Sequence, residues 1–417
     1  MSDTATPAAT AADLLRRRGY MLFWFSRAIS TLAVQILSVG LGWVVYEIAR
    51  RSMDVKQASL YVGLVGLAAF IPVLVLSLPA GESADRHDRK MIQLLCFAGQ
   101  AVTATLLACA IHFRFATLPL LLAVSALFGV ARAYMGPAAS AFGPMLVPRE
   151  LLPRAIAWNS LSWQGGSILG PALGGVILAV SPTAAFATAG GLYLVAAVLL
   201  AMVTESGKPV VSPGSRWALM KEGLAYVWSN RIVFGAISLD LCAVLLGGAT
   251  ALLPVFAKDV LHAGPEGFGL LRAAPAVGAA LVGLWLAAYP IRRHAGVIMF
   301  WGVAAFGAAT LVFGLSKSLP LSLLALAIVG GADMLSVFVR QTLVQIVTPD
   351  QMRGRVSAVS FLFIGASNEL GEFESGVVAR LLGPVGAAVF GGVGAMAVTG
   401  LWAWLFPALR KADRLDN

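Results

Sequence analysis

The chain has 417 residues, of which 59% are hydrophobic and 12% are charged, and its mean hydropathy is +0.84. Soluble domains carry about 25% charged residues, so this composition indicates an integral membrane protein and excludes an ordinary soluble domain. The continuous apolar runs also exclude an outer-membrane barrel, because its strands alternate polar and apolar residues over about ten positions.

Twelve stretches are long and apolar enough to cross a membrane as helices, which requires about 20 consecutive residues. They are predicted at 20–48, 57–81, 91–112, 116–146, 154–181, 183–204, 231–258, 264–290, 295–316, 319–346, 353–382 and 384–407. The N-terminal sequence LLRRRGYMLFWF resembles a signal peptide, but its apolar run is too long and no cleavage site follows. We therefore interpret it as an uncleaved first span.

The loops differ in their content of lysine and arginine, which predicts the orientation. Nineteen of the 30 lie in the N-terminal arm, the even-numbered loops and the C-terminal tail, whereas seven lie in odd-numbered loops and four within spans. Because cytoplasmic loops are enriched in these residues, both termini are predicted to be cytoplasmic. The pI near 9.9 is thus explained by topology and does not indicate a nucleic-acid partner.

The segment 205–230 separates six spans from six. It begins with the linker ESGKPVVSPGS and continues as WALMKEGLAYVW, whose apolar residues recur at helical spacing, as in a helix on a membrane surface. The predicted fold is an all-α membrane protein with twelve transmembrane helices in two six-helix bundles. The predicted parts are an arm at 1–19, bundles at 20–204 and 231–407, the linker at 205–230 and a tail at 408–417.

The two halves are related by a shift of 201 positions. It aligns Pro148 with Pro349, Arg154 with Arg355, Ala157 with Ala358, Leu161 with Leu362, Gly170 with Gly371 and Gly175 with Gly376. Repeats of six spans each run parallel, and transporters built this way hold substrate near the midplane between the halves.

The stretch GESADRHDRK, residues 81–90, joins spans two and three. Gly81 permits a tight exit from a helix, and Asp85 is suited to accept hydrogen bonds from a neighbouring helix N-terminus. The basic residues hold the loop in the cytoplasm. An ordinary basic loop remains the alternative.

This stretch resembles motif A of the major facilitator superfamily, although Ser83 and Asp88 depart from the usual pattern. The resemblance implies a latch between the two halves during alternating access. The matching positions are Gly81, Asp85, Arg86, Arg89 and Lys90.

A second motif, GSILGPALGG, lies in span five. Its small residues predict a groove for close helix approach, and Pro171 removes a backbone hydrogen bond and should kink the helix. Good packing alone would explain the glycines. The string also resembles the motif of the superfamily's exporters, which implies export. Its positions are Gly166, Gly170, Pro171, Gly174 and Gly175.

Charged residues within spans are costly and are commonly paired or functional. Arg132 resembles the span-four arginine of the superfamily, which the resemblance implicates in proton handling. Asp333 and Arg340 are one heptad apart, so both can line one cavity without touching. Snorkelling or a static ion pair is the alternative for each such residue. The remaining candidates are Asp240, Arg27 and Arg272.

Three glutamates lie in the apolar segment NELGEFESG of span eleven. Helical geometry puts Glu369 and Glu372 about 60° apart and Glu374 about 140° from Glu369, so the first two share a face. A carboxyl group in this position can accept and release one proton per cycle. The alternative is structural pairing with Arg340 or Arg380.

Long strings of the second half, including GADMLSVFVRQTL and TPDQMRGRVSAVSFLFIGASNELGEFESG, resemble the enterobactin-exporter-like branch of the superfamily. The resemblance implies a monomeric transporter of a bacterial inner membrane, with lipid, protons and a small molecule as partners. We expect proton-driven efflux of an amphiphilic compound, such as a siderophore or a drug-like molecule, by alternating access. Import or facilitated passage of a solute, and a non-transporting receptor or scaffold, remain alternatives.

An enzyme, a metal site and a cofactor are not expected. The four histidines, His87, His112, His262 and His294, are scattered over different loops. The three cysteines, Cys96, Cys109 and Cys242, lack metal-ligand spacing. No nucleotide-binding loop is present in the sequence.

Overall fold

The computed structural model describes residues 11–208, 216–289, 291 and 293–412. Within these ranges the chain is helical and contains no strand. The predicted linker and tail lie partly outside the described residues, as does most of the N-terminal arm.

The first half contains seven α-helices. They are α1 (Ala11–Leu15), α2 (Arg18–Ala49), α3 (Val55–Arg86), α4 (Arg89–His112), α5 (Leu118–Phe142), α6 (Leu152–Val180) and α7 (Pro182–Ala201). Short 3₁₀ helices, Gly143–Leu146 and Arg149–Leu151, connect α5 to α6.

The second half begins with the linker helix. Its helices are α8 (Arg216–Ser229), α9 (Arg231–Leu246), α10 (Leu253–Val255), α11 (Gly264–Ala288), α12 (Ala295–Leu315), α13 (Leu319–Val347), α14 (Asp350–Leu405) and α15 (Pro407–Arg410). A 3₁₀ helix, Ala249–Leu252, and a π-helical turn, Phe256–Val260, flank α10.

Eleven helical segments of the described residues are long and apolar enough to cross a membrane. The longest, α14, has 56 residues and would extend about 84 Å as one straight helix, far beyond the roughly 30 Å of a bilayer core. It is broken at Gly383, where φ is 82° and ψ is 167°, and Pro384 follows. The glycine accepts this positive φ without steric cost. Residues 350–382 and 384–405 are therefore two crossings, and the predicted twelve-helix fold in two bundles is confirmed.

The seventh span is not the continuous helix that the sequence predicted at 231–258. Helix α9 ends at Leu246, and a 3₁₀ turn follows Gly247 and Gly248. A Cβ added to Gly248 would lie 2.5 Å from the carbonyl oxygen of Gly371. The paired glycines both weaken the helix and let the backbone of α14 approach the break.

The second span also ends later than predicted. Helix α3 runs to Arg86, so Gly81 lies inside the helix and does not form its exit. An Arg86–Glu82 ion pair of 2.7 Å spans one helical turn, and such pairs favour continuation of a helix. The connection is reduced to His87 and Asp88, and the Asp88 side chain caps α4 by accepting from Lys90 N at 2.9 Å.

The predicted linker helix is present as α8 and packs against the second half. Val227 is buried, the Tyr226 hydroxyl donates to the Val347 carbonyl at 3.1 Å, and Glu222 pairs with Arg355. These contacts attach α8 to the ends of α13 and α14.

The two bundles meet at two equivalent glycine contacts. We call the side at which α2 begins and α3 ends the terminal side, and the other the opposite side. Near the opposite side, a Cβ on Gly376 would lie 2.8 Å from Gly63 Cα, and one on Gly175 would lie 2.8 Å from Gly269 Cα. Gly175 and Gly376 are related by the 201-position shift. The internal repeat therefore places α3 against α14 and α6 against α11 in the same way.

Polar contacts reinforce this closure at the opposite side. Tyr46 of α2 and Arg50, which follows the end of this helix, both contact Asp259 in the π-helical turn, with Arg50 Nε 3.4 Å from Asp259 Oδ2. Lys56 Nζ donates to the Leu381 carbonyl at 3.2 Å. Each of these contacts joins the first half to the second.

Substitution of the contacting glycines should open the opposite side. We expect Gly376→Val to push α3 from α14, because valine carbon atoms would overlap the Gly63 backbone. Oxidative crosslinking of Lys56→Cys with Leu382→Cys, in a background without the native cysteines, should fall severalfold. Gly165→Val is the control, because a Cβ there meets no atom within 4 Å. Unchanged crosslinking in Gly376→Val would contradict the packing argument.

Candidate functional site

A cavity of about 730 Å³ lies between the bundles, toward the terminal side. Helices α3, α5, α8 and α14 form its walls. Most of the surface is apolar, and polar atoms come from a few side chains. The lining residues are Val73, Ser77, Leu78, Arg132, Ala133, Pro137, Met220, Gln351, Gly354, Arg355, Ala358 and Leu362.

Four charged side chains from α5, α11 and α14 interact with one another, and we call them the interface cluster: Arg132, Arg272, Glu369 and Glu372. Arg132 of the first half forms an ion pair with Glu369 of the second. Glu372 interacts electrostatically with the other three members. The cluster contains two cations and two carboxylates, so its charges balance when all are ionised.

Glycine and serine of the first half complete the surroundings of this cluster. A Cβ on Gly66 would lie 2.7 Å from Glu372 Oε2, so a larger residue at this position would displace the carboxylate. Arg272 Nη2 donates to Ser38 Oγ at 2.9 Å. The cluster is thus held by residues from both bundles.

The sequence left open that the glutamates pair with Arg340, and the structure shows other partners for both groups. Glu369 pairs with Arg132, whereas Arg340 pairs with Asp240. Arg340 is on α13 and faces α9, which explains why it does not reach the glutamates. Glu374 lies away from the cluster, and its carboxylate accepts from the Ser375 hydroxyl at 3.5 Å.

A second group of charges lies within the second half, and we call it the buried triad: Asp240, Asp333 and Arg340. Arg340 Nη2 is 3.2 Å from Asp240 Oδ2, and these side chains are 2% and 8% exposed. Asp333, which is only partly buried, interacts electrostatically with both. Two acids and one base leave one carboxylate without a counter-charge, and a bound proton would neutralise it.

The exporter-like glycines of α6 form the predicted groove. A Cβ on Gly166 would meet Thr31, one on Gly170 would meet Gln35, and one on Gly174 would meet Ile36. All three contacts are with α2. Helix α6 continues through Pro171 without a break, so the predicted kink does not interrupt the helix.

The motif at residues 81–90 ties together helix ends of the first half. Arg89 Nε donates to the Ala84 carbonyl at 2.9 Å, and Lys90 Nζ donates to the Ala201 carbonyl at 3.0 Å. Cations stabilise helix C-termini by binding their unpaired carbonyl groups.

Arg27, another sequence candidate, is partly buried on α2. It belongs neither to the interface cluster nor to the buried triad.

Sequence reasoning missed several residues that join or line the site. The sequence marks Arg355 only as the repeat counterpart of Arg154 and does not indicate that it lines the cavity. Gln164 Nε2 donates across the halves to the Ala276 carbonyl at 2.6 Å. No pattern in the sequence marked Gln164, Ser38 or Asp259, because each depends on a contact with a distant helix.

Breaking the Asp240–Arg340 pair should destabilise the protein strongly. We expect Asp240→Asn or Arg340→Gln to cost about 3–5 kcal/mol, because each change removes one partner of a buried ion pair. The double variant Asp240→Asn/Arg340→Met should recover much of this loss. Thermal unfolding of the purified variants measures the effect, and equal destabilisation by the double variant would contradict coupling of the two residues.

Comparison with known proteins adds family information to this geometry. The family model described as "Transmembrane secretion effector" matches residues 9–417. The enterobactin exporter EntS of Citrobacter koseri is 28% identical over 405 residues, covering 93% of this chain and 92% of that protein. EntS of Escherichia coli O81 is 26% identical over 386 residues, covering 89% and 84%.

Solved structures share the fold. A bacterial homologue of the human lysosomal transporter Spinster, in an inward-facing and unoccupied conformation, superposes with a TM-score of 0.71 at 14% identity, covering 95% of this chain and 96% of that one. The POT family transporter PepTSo gives a TM-score of 0.74 at 13% identity, covering 95% and 99%. The family match spans nearly the whole chain, and the protein is a member of the transmembrane secretion effector family of major facilitator transporters.

Proposed function

We propose that this protein is a proton-driven exporter of an amphiphilic small molecule that works by alternating access. The observation that carries the proposal is the ion pair between Arg132 and Glu369, which links the two bundles beside the cavity. A second carboxylate, Glu372, lies next to it. Binding and release of a proton at this point would change the attraction between the bundles directly.

The proposed orientation puts both termini and the basic even-numbered loops in the cytoplasm of a bacterial cell, according to the positive-inside rule. The cavity then opens to the cytoplasm, while the glycine contacts close the periplasmic side. An exporter must load its substrate from the cytoplasm, so this arrangement corresponds to the loading state. Residues 20–204 and 231–407 are proposed to move as the two rigid bodies.

Proton coupling is proposed to act through charge balance. A proton on Glu369 removes the charge that attracts Arg132, so it weakens the contact between α5 and α14. Release of the proton restores this contact. The buried triad provides a second proton site at Asp333, with Asp240 held by Arg340. Motif A residues Asp85 and Arg86 are proposed to latch the cytoplasmic side in the alternate state.

The relatives support export and suggest the kind of substrate. EntS of Citrobacter koseri, named as an enterobactin exporter, aligns over nearly its full length. The cavity volume of about 730 Å³ falls within the usual range for small-molecule sites, about 300–1,000 Å³. We therefore propose a siderophore or another amphiphile of similar size as the substrate.

Flux measurements in everted membrane vesicles test the proposal. Enterobactin added outside should accumulate inside respiring everted vesicles that contain the protein, and a protonophore should reduce the initial rate at least fivefold. Vesicles without the protein provide the background. Protonophore-insensitive uptake would overturn proton coupling, and uptake only in right-side-out vesicles would indicate an importer.

Substitution of the glutamates distinguishes coupling from packing. Glu369→Gln and Glu372→Gln should each reduce proton-coupled flux at least tenfold, because neither amide can exchange a proton. Glu374→Gln is the matched control on the same helix and should retain most of the flux. Equal losses at all three positions, with equal amounts of folded protein, would make the segment structural.

A further inference from the structure

We propose that the cavity selects amphiphiles with an anionic group, and that Arg132 and Arg355 together bind that group. Arg355 is thereby assigned as a specificity-determining residue. The inference rests on the proposed transport function and defines its substrate class by charge.

The cavity walls are suited to an apolar body with a small number of polar groups. Val73, Leu78, Met220 and Leu362 contribute aliphatic surface, and burial of such surface favours binding of an apolar group. Ser77 and Gln351 add neutral polar atoms. This surface by itself would accept neutral, cationic or anionic amphiphiles.

The charges in the lining distinguish among these classes. Among the residues that the structure describes, the cavity lining includes two arginines and no aspartate or glutamate. The Arg132 side chain is 52% exposed, whereas its partner Glu369 is only 13% exposed. A ligand in the cavity therefore meets the guanidinium group and is separated from the carboxylate that balances it.

Both arginines retain capacity for another anion. The Arg132–Glu369 contact uses Nη2, and a guanidinium group has five N–H donors arranged as a fork. Carboxylate, sulfonate and phosphate groups match this fork with two parallel hydrogen bonds. The Arg355 side chain is 32% exposed, and it contacts the 54% exposed Glu222 of α8 through Nη1. Its remaining N–H donors can therefore bind a ligand anion.

The two arginines lie on different halves of the protein, so an anion that binds both would connect the two bundles. Arg132 belongs to the first half and Arg355 to the second, and the cavity lies between them. An anion bound to both would draw the cytoplasmic ends of the bundles together. The same anion would compete with Glu369 for Arg132, which links ligand binding to the proposed proton site.

Binding of two matched fluorescent probes tests the inference without any proton gradient. The probes are 8-anilinonaphthalene-1-sulfonate and its uncharged counterpart N-phenyl-1-naphthylamine, which share one aromatic body. Affinities are measured with the full chain in phosphatidylcholine nanodiscs, after subtraction of the signal from empty nanodiscs. We expect the sulfonate to bind at least tenfold more tightly than the neutral probe.

Substitutions assign this preference to the two arginines. Arg355→Gln and Arg132→Gln should each reduce the sulfonate preference to about threefold or less, whereas Arg355→Lys should retain an intermediate preference because it keeps the charge. Arg154→Gln is the matched control, because Arg154 is the repeat counterpart of Arg355 and lies outside the described cavity lining. It should leave the preference unchanged.

Equal binding of both probes to the wild-type protein would overturn the inference, as would an unchanged preference in both glutamine variants. The melting temperatures of Arg355→Gln and Arg132→Gln are measured alongside, and values equal to that of the wild-type protein exclude loss of folding as the cause. If the wild-type protein shows no preference for the sulfonate but its flux is sensitive to a protonophore, only the proposed substrate class is refuted. Intact preference with protonophore-insensitive flux would refute only the proposed proton coupling.

Discussion

The close approach of the bundles at four glycines is the constraint on which the rest of the interface depends. Gly63 faces Gly376 and Gly175 faces Gly269, with so little space that any side chain would overlap backbone. Helices in membranes lack a strong hydrophobic drive to associate, so small residues that permit close packing determine where they meet. Because both contacts lie toward the opposite side, the bundles diverge toward the terminal side and leave the cavity there.

The charged residues follow from this geometry. Ionised side chains are expensive in a membrane interior unless they are paired or lie in a water-filled cavity. Arg132 satisfies both conditions, since it pairs with Glu369 and borders the cavity. Asp240 and Arg340 satisfy only the first, because both are almost completely buried. The interface cluster is therefore placed to respond to movement between the bundles, whereas the Asp240–Arg340 pair stays within one bundle.

The sequence predicted the twelve crossings because each is a long apolar run that is bounded by charged residues, glycine or proline. It also predicted the separation of Glu374 from Glu369 and Glu372, since that depends only on helical spacing. It failed at the break after Leu246, because a glycine pair within an apolar run weakens a helix without identifying its partner. The sequence also did not identify Arg132 as the partner of Glu369. The choice between Arg132 and Arg340 depends on how α5, α13 and α14 are arranged in space, and no local pattern encodes that arrangement.

The internal repeat is preserved at one end of the molecule and broken at the other. The two glycine contacts near the opposite side are equivalent, as the shift of 201 positions requires. Toward the terminal side, α8 packs mainly on the second half, where Gly223 lies against the Arg355 backbone and Met220 enters the cavity lining. Arg154, the counterpart of Arg355, is not part of that lining. Symmetric closure on one side suits a movement that both halves share. The asymmetric cavity lets the second half contribute Arg355, whose repeat counterpart Arg154 does not line it.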